Sequence, residues 1–180
     1  EFSFGFGIYL DDACSGYVVA GNLVHDLQRG GGGVLRSAVY TKGLSNTFQN
    51  NILVDNPTAE VAILSQAYGT EPCRWLSFSG NIMHRSGSSG IGFTNWDWER
   101  MTASNNNLFG PGTEYYHWAH PNKGKDLEKW DAHMKTIYDQ DSIAADPGFM
   151  DEDAGDYRLR FDSPAREHGI VDVDQVNMGL

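Results

Sequence analysis

Long apolar runs are what this 180-residue chain most plainly lacks. No stretch approaches the ~20 consecutive apolar residues of a membrane-crossing helix, so no membrane partner is expected. Basic residues are also short, with 13 Lys and Arg against 24 Asp and Glu and a net charge of −11. A phosphate backbone would be repelled by that surplus, which argues against nucleic acid as a partner. Cysteine is scarce: Cys14 and Cys73 alone say little about redox compartment. A leader pattern is missing, and the opening "EFSFGFGIYL" reads as the middle of a β-rich region. The expectation is therefore that an upstream part of the same fold precedes it. Against these shortages stand five Trp, eight Tyr and nine Phe, enough aromatic surface for a folded core. The 21 glycines, with abundant Asn and Ser, point to many tight turns.

Four segments resemble one another: "YVVAGNLVHD" from Tyr17, "NTFQNNILVDN" from Asn46, "WLSFSGNIMHR" from Trp75 and "MTASNNNLFG" from Met101. Each runs through alternating residues to a Gly/Asn–Asn corner and then an aliphatic pair. The corner asparagines are Asn22, Asn51, Asn81 and Asn107, spaced by 29, 30 and 26 residues. A short apolar strand precedes each segment: "GIYL" at Gly7, "AVYT" at Ala38, "VAIL" at Val61 and "GIGF" at Gly90. Such a unit has no helical periodicity and cannot bury its own apolar face. Stacking successive units can, with strands ~4.8 Å apart and like residues on like. Asn suits the corner because it tolerates a left-handed backbone and its amide can bond to the next copy. An antiparallel sandwich also has short strands, but it would not explain a recurring Asn before an aliphatic pair.

These repeats resemble the right-handed parallel β-helix family, the pectin-lyase-like superfold. A second stretch from Leu127 to Ile170, with "DSIAADPGF", "DYRLRFDSPA" and a following Gly, resembles the ending common in carbohydrate-active members. The resemblance implies an all-β solenoid: about four parallel β-helix coils over 1–112, a loop excursion over 113–126, and a C-terminal coil with capping segment over 127–180. The excursion is read from its aromatic, His and Lys composition. In the tail, Asp146-Pro147-Gly148 reads as a turn and "DYRLRFD" as a strand. "SPAREHG" has the Ser–Pro start and Gly stop of a short helical turn, and the segment is expected to hide the last strand edge.

Aligning the short strands stacks Gly7–Asp12 over Ala38–Gly43, then Ala62–Ala67 and Gly90–Asn95. Alternation places Ile8, Val39, Ile63 and Ile91 inward. Tyr9, Asp11, Tyr40, Lys42, Gln66 and Thr94 then face outward as one polar, aromatic band suited to a sugar chain. Asp11 and Lys42 fall one rung apart. They read either as a catalytic carboxylate tuned by a cation and by Asp12, or as a surface salt bridge of little consequence. The family resemblance implies the first, so Asp11, Asp12 and Lys42 are the candidate catalytic residues. Glycoside hydrolysis needs two carboxyls about 5–9.5 Å apart. Adjacent strand residues point to opposite faces, so Asp11 and Asp12 form that pair only if the chain turns between them. Asp26, Asp97 and Glu99 are the other candidates.

Candidate substrate-binding residues are Tyr9, His25, Arg29, Tyr40, Gln66, Trp96, Asp97 and Trp98, the indoles serving as platforms for sugar rings or packing on the surface. A polysaccharide lyase would instead need a base and a cation, for which Lys42, Arg36, Arg29, His25 and His84 are available. Only that reading would call on calcium, at Asp11 and Asp12. Otherwise no cofactor and no metal are expected. His25 and His84 share a repeat position two rungs apart, too far to share one metal. "HWAH" (His117, His120) is weak evidence for zinc. "RGGGG" (Arg29–Gly33) lacks the Lys-Ser/Thr of a phosphate loop and reads as a turn. Cys14 and Cys73 also fall two rungs, ~10 Å, apart, beyond disulfide reach. The expected function is a secreted polysaccharide-processing enzyme, a glycoside hydrolase first and a lyase second. A non-catalytic glycan-binding module is the alternative from another class.

Overall fold

The computed structural model describes residues 4–27, 34–59, 61–66, 75–87, 89–94, 103–118, 139 and 141–175. Within them the chain visits three parallel sheets in rotation. The first holds β1 (Phe4–Leu10), β4 (Val34–Thr41), β7 (Val61–Gln66), β10 (Ser89–Thr94) and β13 (Glu114–Trp118), side by side in that order. The second holds β2 (Val18–Ala20), β5 (Thr47–Gln49), β8 (Ser77–Ser79) and β11 (Ala103–Asn105). The third holds β3 (Leu23–His25), β6 (Ile52–Val54), β9 (Ile82–His84), β12 (Leu108–Phe109) and β14 (Ile143–Ala144). An antiparallel pair, β15 (Phe149–Asp151) and β16 (Asp156–Leu159), and the short helix α1 (Pro164–Glu167) follow. The architecture is all-β and dominated by parallel sheets. Glu114–Trp118, inside the stretch expected as a loop excursion, is instead a strand paired with β10.

Like residues stack on like along each sheet. Ile8, Val39, Ile63 and Ile91 are register partners in the first sheet, as their alignment anticipates. Val19, Phe48 and Phe78 form the matching column of the second, the two Phe rings stacked 5.3 Å apart. Val24, Leu53, Met83 and Phe109 do so in the third. These side chains form one core cluster, in which Phe48, Phe78, Leu53 and Met83 are fully buried. Burying each such side chain contributes about 1.5–3 kcal/mol.

Strict alternation breaks at the same place in successive units of the first sheet. Pairing passes from Phe6↔Ser37 to Ile8↔Val39, skipping Gly7 and Ala38, and it skips Ala62 and Gly90 in the same way. Ala38 and Ala62 join Val39 and Ile63 in the inner core, so two consecutive residues face inward. Gly7, Ala38, Ala62 and Gly90 are all small, and at the two glycines the space is already filled. A Cβ on Gly7 would come 2.7 Å from Val24 Cγ1, and one on Gly90 2.3 Å from the Phe109 ring.

The corners are built on side-chain amides. Asn22, Asn51 and Asn81 each donate through Nδ2, at 2.9 Å, to Oδ1 of the next Asn, up to Asn107. The same Oδ1 accepts the backbone N–H of the preceding Asn at 3.0–3.2 Å. Each of the last three also donates to a carbonyl one unit back: Val19, Phe48 and Phe78. The left-handed residue is the one before the ladder Asn: Gly21, Asn50, Gly80 and Asn106, with φ from 52° to 65°. The ladder asparagine is thus selected for its amide and not for its backbone freedom, which corrects half of the sequence expectation.

The tail forms as its residues suggest, but it covers a different surface. Asp146 Oδ1 accepts the Gly148 N–H at 2.8 Å in the expected turn. Ser163 caps α1, accepting from Ala165 and Arg166 N–H while donating to the Pro147 carbonyl at 2.6 Å. Phe149, Tyr157, Leu159, Ala165, Ile170 and Val173 pack against Ile52, Val54, Ile82 and Leu108. Those four belong to the third sheet and, unlike Leu53 and Met83, lie outside the inner core. The segment therefore lies on the outer face of that sheet, where the expectation was cover for the last strand edge.

Candidate functional site

The outer side of the first sheet carries the group that the sequence singles out. Tyr9 and Tyr40 are register partners on β1 and β4. Beyond them the chain turns sharply: the Cys14 N–H bonds the Asp11 carbonyl at 2.9 Å, and Ala13 is left-handed at φ 61°. Lys42 is locked beside that turn, its N–H donating to the Leu10 carbonyl at 3.0 Å and its own carbonyl accepting from Ala13 at 3.1 Å. Gly43 permits the approach, since a Cβ there would stand 1.8 Å from the Cys14 carbonyl oxygen.

The turn brings both aspartates to one cation. Lys42 Nζ lies 3.3 Å from Asp11 Oδ1 and 3.0 Å from Asp12 Oδ1. The Tyr9 hydroxyl donates to Asp11 Oδ1 at 2.5 Å. Two oxygens sharing an ammonium at those distances stand at most about 6 Å apart. Adjacent strand residues point to opposite faces, and the corner after Leu10 supplies the turn that brings Asp11 and Asp12 together. Both remain exposed, while the Lys42 side chain is 23% exposed.

Beneath them lies an aromatic stack. Phe6 and Tyr40 are stacked at 4.4 Å, Tyr9 and Tyr40 at 5.1 Å, and Phe6 and Tyr9 are tilted at 4.9 Å. Lys42 Nζ sits 5.8 Å from the centroids of both tyrosine rings, a cation–π distance. Tyr9 is 43% exposed and Tyr40 only 4%, so Tyr9 is the open platform and Tyr40 its floor. The Tyr40 hydroxyl donates to Gln66 Oε1, which ties the third rung to the group. Phe6, Tyr40, Val61 and Leu64 form a separate outer cluster under the platform. Strict alternation puts Phe6 on the inner side with Ile8, so sequence reasoning missed it. The available signal was the column of small residues Gly7, Ala38, Ala62 and Gly90.

The electrostatics follow from these bonds. The Tyr9 hydroxyl, then the Asp12 backbone N–H, then Lys42 pull the Asp11 carboxyl down to about 2. Tyr9 itself is raised, first by the bond to Asp11 and then by burial. Lys42 is raised by its bonds to Tyr9 and Asp12 and, less, to Asp11. At neutral pH the group thus holds an ionised Asp11 and a firmly protonated Lys42.

Other predicted residues lie elsewhere. His25, on β3, bonds Asp26 at 2.7 Å and faces the Tyr157 ring at 5.3 Å, so it does not join the Tyr9 group. His84 is register-aligned two rungs from His25, with Val54 between them, and is 7% exposed. Its Nε2 lies 3.4 Å from Glu152, within a cluster where Arg85 bridges Asp55 at 2.6 Å and Glu152 at 2.6 Å. Tyr157 closes that cluster with a 2.8 Å bond to Asp55, and burial, then this bond, raises its hydroxyl. The cluster joins the tail to the third sheet. Arg29, Trp96, Asp97, Trp98, Glu99, His120 and Cys73 lie outside the described residues, as does the Trp-bearing piece after Leu127. Of Arg36, Thr94 and His117 only the strand positions are described. Cys14 forms no disulfide. Among the described residues no group of three or more His, Cys, Asp or Glu could hold a metal, and no helix is long and apolar enough to cross a membrane. Comparison with protein families, with curated proteins and with solved structures found no match to this chain.

Proposed function

We propose that the chain is a right-handed parallel β-helix of the carbohydrate-active, pectin-lyase-like type, and that it is a glycoside hydrolase whose reacting carboxylate is Asp11. The observation that carries this reading is an exposed, ionised Asp11 held by Tyr9 and Lys42 at the edge of an open aromatic platform. The Tyr9 ring suits a sugar face, and carboxylates, ammonium and amide around it suit hydroxyl groups. An ionised carboxylate can attack the anomeric carbon or stabilise the positive charge that develops there. Tyr9 and Lys42 hold it in place, and Asp12, bonded to the same ammonium, assists it. A polysaccharide is the partner, no cofactor takes part, and secretion goes with a polymeric extracellular substrate.

The lyase alternative fits less well. Proton abstraction needs a neutral base, and Lys42 is raised away from that state by Tyr9 and Asp12. The test is hydrolysis of plant, algal and chitin-derived polysaccharides, read as new reducing ends alongside absorbance at about 235 nm. Asp11→Asn should lower the rate at least about a hundredfold. New reducing ends without new absorbance support hydrolysis. Unsaturated products would establish a lyase, and binding without any turnover would reduce the protein to a glycan-binding module.

A further inference from the structure

Resting on the glycan reading above, we infer that the Tyr9 face takes glycans bearing free amino groups in preference to neutral glycans or uronates. Two exposed carboxylates, Asp11 and Asp12, share the single ammonium of Lys42, which leaves one negative charge uncompensated among the described residues. That same ammonium shows what the face accepts. It rests against two carboxylate oxygens at 3.0 and 3.3 Å and two tyrosine faces at 5.8 Å, the surroundings that recognise ammonium ligands. Asp11 and Asp12 are 59% and 58% exposed, so a second ammonium on a sugar stacked over Tyr9 meets the same carboxylates from the solvent side. The net charge of −11 adds a long-range field of the same sign preference, drawing cationic polymers and repelling uronates.

Three ligands of matched length separate the possibilities: deacetylated chitosan oligomers, their N-acetylated counterparts, and oligogalacturonate. By titration calorimetry at low ionic strength, the amino oligomers should bind about tenfold tighter than the acetylated ones, and the uronate most weakly. The gap should narrow as salt shortens the screening length to about 10 Å or less. Asp12→Asn should remove most of the gap. Lys42→Gln, which deletes the resident cation, should widen it, although the same change slows turnover. Tyr9→Ala, checked for folding by circular dichroism, should abolish the preference. Equal affinities, or the acetylated or uronate ligand binding tightest, would overturn the inference while leaving the glycan reading intact. A preference surviving unchanged in both Asp12→Asn and Tyr9→Ala would assign it to bulk charge and also overturn it. Failure to bind any glycan would remove the glycan reading, and this inference with it.

Discussion

Two outer faces of the same stack of strands have opposite fates. On the third sheet Ile52, Val54, Ile82 and Leu108 are covered by the tail that carries Phe149, Tyr157 and Leu159. On the first sheet Phe6, Tyr9 and Tyr40 form an outer stack whose uppermost ring stays 43% exposed. Both faces are rich in apolar atoms, so hydrophobicity alone does not distinguish them. Their polar fittings do. The covered face is clamped at its rim by Asp55, Arg85, Glu152 and Tyr157, which bond to one another between the third sheet and the tail. The open face gathers Asp11 and Asp12 on the single ammonium of Lys42, all three within the corner that joins the first two units.

The sharpest way to break this comparison is to open the core beneath the covered face. Ile82→Ala removes a fully buried side chain between the third sheet and the tail, and should cost about 2–5 kcal/mol in urea unfolding. Tyr9→Ala on the open face should cost far less, which makes the pair a direct contrast. Next is the amide ladder. Asn81→Ala leaves the Asn51 N–H and amide without their acceptor in a buried corner, at roughly 1–3 kcal/mol. Asn22→Ala, at the ladder's first rung, should cost less, because Asn22 only donates along the ladder and its amide also turns back to Ala20.

A smaller effect comes from pH. Burial and Asp55 raise the folded Tyr157 hydroxyl above its usual value near 10. Its contribution is therefore fully present below about pH 10 and is lost as pH rises beyond that toward the folded value. Denaturation midpoints should fall above pH 10 in the native sequence and fall less in Tyr157→Phe. The open face has the opposite sign. Asp11 is depressed to about 2, so its contribution is present above about pH 4 and fades only as pH falls toward 2. Tyr9→Phe should raise the Asp11 titration midpoint, readable by carboxylate chemical shifts, with a stability change of about 0.5 kcal/mol or less.

What the sequence made legible was whatever repeated. The inward columns and the ladder asparagines stand at nearly constant spacing, and a physical rule about stacking reads them directly. The register that pairs Tyr9 with Tyr40 followed from the same spacing. Phe6 was hidden because alternation fails at Gly7, and a rule of period two cannot see a break made by small residues. The reunion of Asp11 and Asp12 was hidden because it depends on a corner that neighbouring Lys42 and Gly43 help to fix. The covered face was hidden because its clamp joins Asp55 to Tyr157 across 102 positions, with no repeat to announce it.

Amide hydrogen exchange with and without a bound glycan oligomer reads both faces at once. New protection is expected in residues 8–14 and 40–44, with residues 149–173 unchanged. Protection confined to the tail or the third sheet, with the Asp11 corner unaffected, would contradict it.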